Sequence, residues 1–262
     1  MKVKKPSSIN SVFKTFRLIE ILSVPNAEYS LTEVTKKLDL SIGATQRITN
    51  SLISIGYLSK DKKTKKFRLT PKWLSVGFGI LAGLEIRKIA LPHLKQLYRE
   101  TGGTVSFVIR DGDEVVYIER LTTQELLGFN IRAGLKRPMY LNSMGRAILA
   151  FLPEEEQDEI LKRTVNGNDN ANGSLDEVKL KEELRKIRQS GYAVNRVNYS
   201  GGATAVSVPI FNQKGKPIAG INIGMPPKSA EDDEYFQKRV DLLMKTGGAI
   251  SSEIGYMDYM EE

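Results

Sequence analysis

The chain has 262 residues, of which 40% are hydrophobic, with a formal charge of +8 at pH 7, one histidine and no cysteine. That length allows two domains of ordinary size with a core each, and the lack of thiols excludes a disulfide framework, a cysteine nucleophile and thiolate metal sites. His93 alone cannot build a multi-histidine metal centre, and no cofactor is expected.

The charge is unevenly spread. Up to Gly79 there are 15 Lys and Arg against 5 Asp and Glu, net +10, while the remainder carries 24 against 26, net −2. The first part can neutralise phosphates and release counterions; the larger second part has no electrostatic reason to touch nucleic acid. The basic N-terminus, MKVKKPSSINSVFKTF, returns to charge too soon for a signal peptide. The most apolar window, Trp73 to Leu84, falls short of the roughly 20 residues that span a bilayer. A cytoplasmic, soluble protein with no membrane partner is expected.

In chain order, Val12, Phe16, Ile19 and Leu22 share one helical face, predicting a first helix that ends near Pro25-Asn26 and covers the next two. Ser30 and Glu33 have capping-box spacing just before Leu31, Val34 and Leu38, so a second helix begins near Leu31. Leu38-Asp39-Leu40-Ser41 is a short turn, and Ser41 can cap a third helix. There Ile48, Leu52 and Ile55 recur on the expected inner face, with Thr45, Gln46, Arg47, Thr49 and Asn50 opposite. After Gly56, strands at Tyr57 to Lys60 and Lys66 to Thr70 flank the turn Asp61-Lys62-Lys63-Thr64-Lys65. Two short helices followed by a basic hairpin are the order of a winged helix-turn-helix.

Pro71 can open a helix through Trp73, Leu74, Phe78 and Leu81. Its Gly79 and Gly83, four apart, fit either loose boundary sequence or close packing on a partner helix. The expected division is residues 1–71 as the DNA-binding domain, 72–84 as a linker helix and 85–262 as a second domain. That domain opens with a helix from Glu85 to Thr101, apolar at Ile89, Leu94, Leu97 and Tyr98. Strands follow at Thr104 to Arg110 and Glu114 to Leu121 around Asp111-Gly112-Asp113, with a third at Leu126 to Arg132. Helices are predicted over Ser143 to Phe151, Pro153 to Arg163 and Leu175 to Ser190, with a surface loop from Thr164 to Ser174. Strands at Tyr192 to Val197, Ala203 to Phe211 and Pro217 to Gly224, then a helix from Glu231 to Gly255, complete an α+β domain, a mostly antiparallel sheet with flanking helices.

Several segments resemble the IclR-type transcriptional regulators: SLTEVTKKLDLS, ITNSLISIGYLSKD and KFRLTPKWLSVG in the first part, then TGGTVSFVIRDGDEVVYIERL, MGRAILAFLPEEE, IRQSGYAV and AVSVPIFNQKGKPIAGINI. The DGDEVVYIER hairpin followed by MGRAILAFLPEEE is more specific than any helix-turn-helix. The resemblance implies a winged helix-turn-helix joined to a GAF- or PAS-like ligand domain, a homodimer or homotetramer on a palindromic double-stranded operator, and a small organic-acid effector. A regulator of this kind, more often a repressor, needs different effector affinities in two arrangements of the dimer.

On that basis Gln46, Arg47 and Asn50 are the expected base readers, because Gln and Asn pair bidentately with adenine and Arg with guanine. Thr45 and Thr49 are candidates for phosphate or thymine-methyl contacts. Ser41, Ile42, Gly43 and Ala44 stand where the family usually has Pro, Lys, Ser and Thr, so phosphate anchoring is expected to shift to Lys36, Lys37, Lys62, Lys63, Lys65 and Lys66. The bland reading of these groups is a solvated helix face and turn.

For the effector, the resemblance places Ser143 and Met144 at a helix N-terminus beside Asn195, Ala205, Asn222 and Gly224, with Phe129, Tyr140 and Asn142 as further lining. Ala205 replaces a frequent cysteine, Asn222 a frequent serine and Asn195-Arg196 a frequently acidic pair. The site therefore loses negative charge, and an anionic or strongly polar effector is expected, countered by Arg196 and Arg132. Two rivals remain from other classes: an enzyme fused to a DNA-binding module, against which stand the missing nucleophile and phosphate-loop motifs, and an effector-free architectural DNA binder.

Overall fold

A computed structural model describes residues 9–122, 131–166, 176–196 and 204–257. The chain divides between Gly83 and Leu84 into two compact units.

Among the described residues the first unit is four helices and a hairpin: α1 (Asn10–Leu22), α2 (Leu31–Leu38), α3 (Ile42–Ser54), β1 (Leu58–Lys60), β2 (Phe67–Leu69) and α4 (Lys72–Gly83). The capping box closes α2 as the spacing predicts: Ser30 N donates to Glu33 Oε2 at 2.7 Å and Glu33 N to Ser30 Oγ at 3.4 Å. Asp39 takes a left-handed conformation at the end of α2, and Ser41 Oγ accepts from Ala44 N at 3.3 Å to start α3. Tyr29 bridges Phe67, adding one rung beside the two-stranded sheet. The core gathers Leu18, Leu22, Val34, Leu38, Leu52, Leu58 and Phe67.

Two expected faces are rotated. In α1 the core is met by Leu18 and Leu22, with Ile19 and Ile21 beside them, whereas Val12 and Phe16 are exposed. In α3 the buried stripe is Thr45, Thr49 and Leu52, spaced i, i+4, i+7, and Ile55 is 54% exposed. Threonine tolerates such a stripe because its hydroxyl can bond within the helix: Thr45 Oγ1 donates to Ser41 O at 3.1 Å and Thr49 Oγ1 to Gln46 O at 3.1 Å. No side chain of α4 is buried. Its Trp73 ring lies 4.5 Å from that of Tyr57, and Trp73 Nε1 donates to Tyr57 O at 3.0 Å.

The second unit begins with α5 (Glu85–Thr101) and the hairpin β3 (Thr104–Asp111) and β4 (Glu114–Leu121), whose turn uses Gly112 at φ +64°. Then come β5 (Lys136–Pro138), a 3-10 turn at Met139–Leu141, α6 (Ser143–Ala150), α7 (Glu154–Asn166) and α8 (Glu177–Ser190). The chain continues through β6 (Ala193–Arg196), β7 (Thr204–Phe211), β8 (Pro217–Met225), a second 3-10 turn (Pro227–Glu231) and α9 (Asp233–Glu253). The six strands form an antiparallel sheet in the order β5-β4-β3-β8-β7-β6. This is the α+β layering expected.

The third strand is not where it was placed. Residues 126–130 of that stretch lie outside the described residues, Ile131 and Arg132 are not in a strand, and Lys136–Pro138 pairs with β4 instead. Most of the expected Asn- and Gly-rich loop, residues 167–174, also lies outside them.

α6 covers one sheet face: Ser207 Oγ donates to Ser143 Oγ at 2.7 Å, and the Met144 backbone lies against Gly220. α9 and α5 cover the other, with Gly247 of α9 against Val208 and Arg87 of α5 paired to Glu119 at 2.7 Å. Between Phe107 and Val108 the β3–β4 register shifts, so that Ile118 is an extra residue in β4. Such a bulge reverses which side the following residues face. It puts Glu119 toward α5 and Arg120 on the α6 side.

Candidate functional site

Two surfaces carry the polar groups singled out from the sequence. On α3, Arg47 and Asn50 are exposed and Gln46 half-buried. Gln46 Nε2 donates to Asn50 Oδ1 at 2.7 Å, an i,i+4 contact that ties the two carboxamides together on the helix surface. Thr45 and Thr49 do not belong to this face. Both are completely buried with their hydroxyls bonded to helix carbonyls, so they are withdrawn as DNA contacts.

The wing turn is built around Asp61, whose Oδ1 accepts from Lys63 N, Thr64 N and Thr64 Oγ1 at 2.8, 2.7 and 3.1 Å. Those bonds hold its carboxyl below the usual range, chiefly through the Thr64 and Lys63 amides. With the acid spent on the turn, Lys62, Lys63 and Lys65 extend into solvent, and Lys66 is half-buried. Lys36 is exposed, and Lys37 Nζ sits 4.7 Å over the Tyr29 ring. Lys72, which the sequence reading passed over, donates to Ile55 O at 2.7 Å and packs over Tyr57, closing the end of α3.

The second surface is the α6 face of the six-stranded sheet. Paired residues on antiparallel strands share a face, so the register defines two cross-sheet rows. One runs Arg120–Ser106–Asn222–Ser207 across β4, β3, β8 and β7. The next runs Thr104–Gly224–Ala205–Asn195 across β3, β8, β7 and β6. Asn195, Ala205, Asn222 and Gly224, far apart in sequence, are thus neighbours on one face. Gly224 and Ala205 add almost no bulk, leaving a trough between the two asparagines.

The remaining expected residues are distributed differently. Met144 is 1% exposed and belongs to the core, so it does not line the trough. Asn142 caps α6, its Oδ1 accepting from Gly145 N at 2.8 Å, and Tyr140 packs half-buried against the core. Ser143 is buried, accepting from Ser207. Arg132 is exposed. Phe129 and the Arg196 side chain lie outside the described residues.

Two arginines missed by sequence reasoning matter more. Arg146 on α6 donates to Tyr140 O at 3.1 Å and Asn195 Oδ1 at 3.3 Å, while its Nε lies 2.9 Å from Glu183 Oε1. Its charge is therefore answered by Glu183, and its role is to orient Asn195. Arg120 has no such partner: among the described residues its side chain forms no ion pair or hydrogen bond. Burial draws its guanidinium below the ordinary arginine range, against a small opposing pull from Tyr117, whose phenol burial pushes up.

A basic winged helix-turn-helix joined in one chain to an α+β domain with a polar, half-buried sheet face defines a class, DNA-binding proteins that carry a separate second domain. The comparisons sharpen this. The model of the bacterial transcriptional regulator IclR C-terminal domain matches residues 78–252, and that of the IclR helix-turn-helix domain residues 11–62. The chain belongs to the IclR family of DNA-binding transcriptional regulators.

The chain is 30% identical over 264 residues to the DNA-binding transcriptional repressor YiaJ of Escherichia coli, covering 97% of this chain and 90% of that protein. It is 26% identical over 256 residues to the HTH-type transcriptional regulator KdgR of the same species, covering 98% and 97%. Among solved structures, Thermotoga maritima IclR is 30% identical with a TM-score of 0.70, covering 95% of this chain and all of that one. An IclR homologue from Microbacterium hydrocarbonoxydans, complexed with 4-hydroxybenzoate, shares the fold at TM-score 0.74 and 20% identity, covering 93% and 98%. Among the described residues no helix is long and apolar enough to cross a membrane, and no cluster of three His, Cys, Asp or Glu could hold a metal ion.

Proposed function

We propose that this regulator is a repressor whose operator affinity changes when a small organic acid occupies the trough on the α6 face of the sheet. The observation that carries the reading is the pair of polar rows. A domain that served only as architecture would fill that face with apolar side chains, as it does where Met144 packs on Gly220. Gln46, Arg47 and Asn50 are the base readers in this proposal, and Lys36, Lys37, Lys62, Lys63, Lys65 and Lys66 the phosphate contacts. The trough offers Asn195, Ala205, Asn222 and Gly224, bordered by Ser143, Tyr140 and Asn142. That a protein of this fold holds 4-hydroxybenzoate supports an acid-sized ligand.

The reading includes self-association. Val12, Phe13 and Phe16 on α1 and Leu74, Phe78 and Ile80 on α4 are large, apolar and exposed, and such a patch on one chain favours a second copy. A two-fold dimer then reads a palindromic operator. The test is in vitro selection of a DNA site on the full-length protein, followed by anisotropy titrations in the presence of organic acids. The expected result is a palindromic site released by at least one acid. An acid that binds the protein yet leaves its DNA affinity untouched sinks the switch.

A further inference from the structure

The polar side chains of α3 divide into groups that are spent, groups that are joined and one that stands alone. Thr45 and Thr49 are buried with their hydroxyls bonded inside the helix, so the long polar side chains left on the outer side are Gln46, Arg47 and Asn50. Gln46 and Asn50 stand one turn apart and are joined by the bond from Gln46 Nε2 to Asn50 Oδ1 at 2.7 Å. That bond uses one N–H of Gln46 and engages the Asn50 oxygen, leaving Gln46 Oε1 as the free oxygen beside the remaining amide N–H groups. Arg47 leaves in another direction. Its Nη1 lies 4.0 Å from the point a Cβ on Gly43 would occupy, so the guanidinium runs back toward the start of the helix. Among the described residues its side chain bonds neither carboxamide.

We propose that Gln46 and Asn50 act as one reader of a single A·T base pair and that Arg47 reads a different pair, a G·C. Adenine shows the major groove a donor at N6 beside an acceptor at N7, which calls for one acceptor and one donor side by side. The joined carboxamides present that combination, with Gln46 Oε1 accepting from N6 and one of the remaining amide N–H groups donating to N7. Guanine shows two acceptors, O6 and N7, so it repels the free oxygen of the pair but suits the fork of Arg47. Because each carboxamide already holds the other, the pair has less side-chain freedom to lose on binding than two separate readers. α3 then specifies one base pair fewer than three independent side chains would. The inference rests on α3 as the reading helix and adds which residues act together and which bases they select.

The experiment measures the affinity of the full-length protein, by anisotropy, for the selected DNA site and for each of its single base-pair replacements. It compares the parent with Gln46→Ala, Asn50→Ala, the double variant and Arg47→Ala. Gln46→Ala and Asn50→Ala should each flatten the preference at the same A·T pair, by about 10- to 100-fold. The double variant should lose no more than about twofold beyond the worse single one, because the two side chains form one unit. Arg47→Ala should flatten a G·C pair elsewhere, and its loss should multiply with that of Asn50→Ala. 7-Deazaadenine at the shared position keeps Watson–Crick pairing but lacks N7; it should weaken the parent by about tenfold and leave the double variant unchanged. Substitutions at Gln46 and Asn50 remove no charge, so the salt slope should stay that of the parent. Melting curves of the free variants separate misfolding from lost recognition. Relaxation of two different base pairs by Gln46→Ala and Asn50→Ala, losses that multiply in the double variant, or a shared preference for G·C overturns the proposal and leaves α3 as the reading helix. Base preferences that none of the three substitutions alters remove α3 from base reading and the proposal with it.

Discussion

The α3 surface and the α6 face of the sheet both present carboxamides and an arginine, yet they are assembled in opposite ways. On α3 the groups lie within five residues, Gln46 to Asn50, and the two carboxamides are joined by a single i,i+4 bond. On the sheet, Arg120, Asn222 and Asn195 come from three strands, and the two asparagines are oriented by a backbone amide and a side chain far away in sequence. The lesson is about tolerance: a surface built within one helix survives small shifts in the rest of the domain, whereas the trough exists only while the strand register and α6 are in place.

The harshest way to break that contrast is Gly145→Val. A side chain there would overlap the Met139 backbone, and overpacking of this kind costs about 3 kcal/mol or more. Denaturant unfolding should show the loss in the second unit, and ligand binding should vanish, while the α3 surface stays intact. Replacing Lys62, Lys63 and Lys65 together by glutamine acts on the other surface. If each contacts a phosphate, the slope of log affinity against log salt falls by about 2 to 3 for every DNA sequence, and an unchanged slope removes the wing from the interface.

A more selective effect is expected from Asn50→Ala, which also releases Gln46. Discrimination between the selected site and a site with one changed base pair should shrink by about 1–3 kcal/mol, with non-specific binding preserved. Acidification sharpens the comparison without mutation. The Ser30 amide and hydroxyl hold the Glu33 carboxyl below its ordinary value, so its contribution is full at neutral pH and is lost as pH falls through the lowered folded value. A pH series of melts on Ser30→Ala should therefore be flatter on the acid side than the parent. The smallest effect belongs to Thr49→Val. Its hydroxyl points into its own helix, so DNA affinity should move by less than about twofold and stability by about 1 kcal/mol at most. A large loss of DNA binding would return Thr49 to the reading face.

Much of the molecule is legible without coordinates wherever the deciding interactions are local. The capping box at Ser30 and Glu33, the Ser41 cap, the Asp111-Gly112-Asp113 hairpin and the basic wing appear where their residue types demand, because each is closed by bonds spanning a few residues. Asn195, Ala205, Asn222 and Gly224 were picked out through a family resemblance, and the register makes them neighbours for a reason that no spacing in the chain expresses. Helix faces were harder to read. Hydrophobicity alone favoured Ile55 over Thr49, but a threonine that bonds its own backbone behaves as an apolar residue, and the packing of α3 used it as one.

By itself the sequence determined the two-part architecture, the charge division between its parts and the placement of Arg47 and Asn50 on the exposed side of α3, since composition and helical periodicity are properties of the chain. Only the tertiary structure decided the sign of the sheet face. Strict alternation through Glu114 to Leu121 puts Tyr117 and Glu119 on one side and Arg120 on the other. The single extra residue at Ile118 reverses that order, turning Glu119 to Arg87 and Arg120 to the trough. A bulge is set by how two strands fit each other, so it is written in neither strand alone.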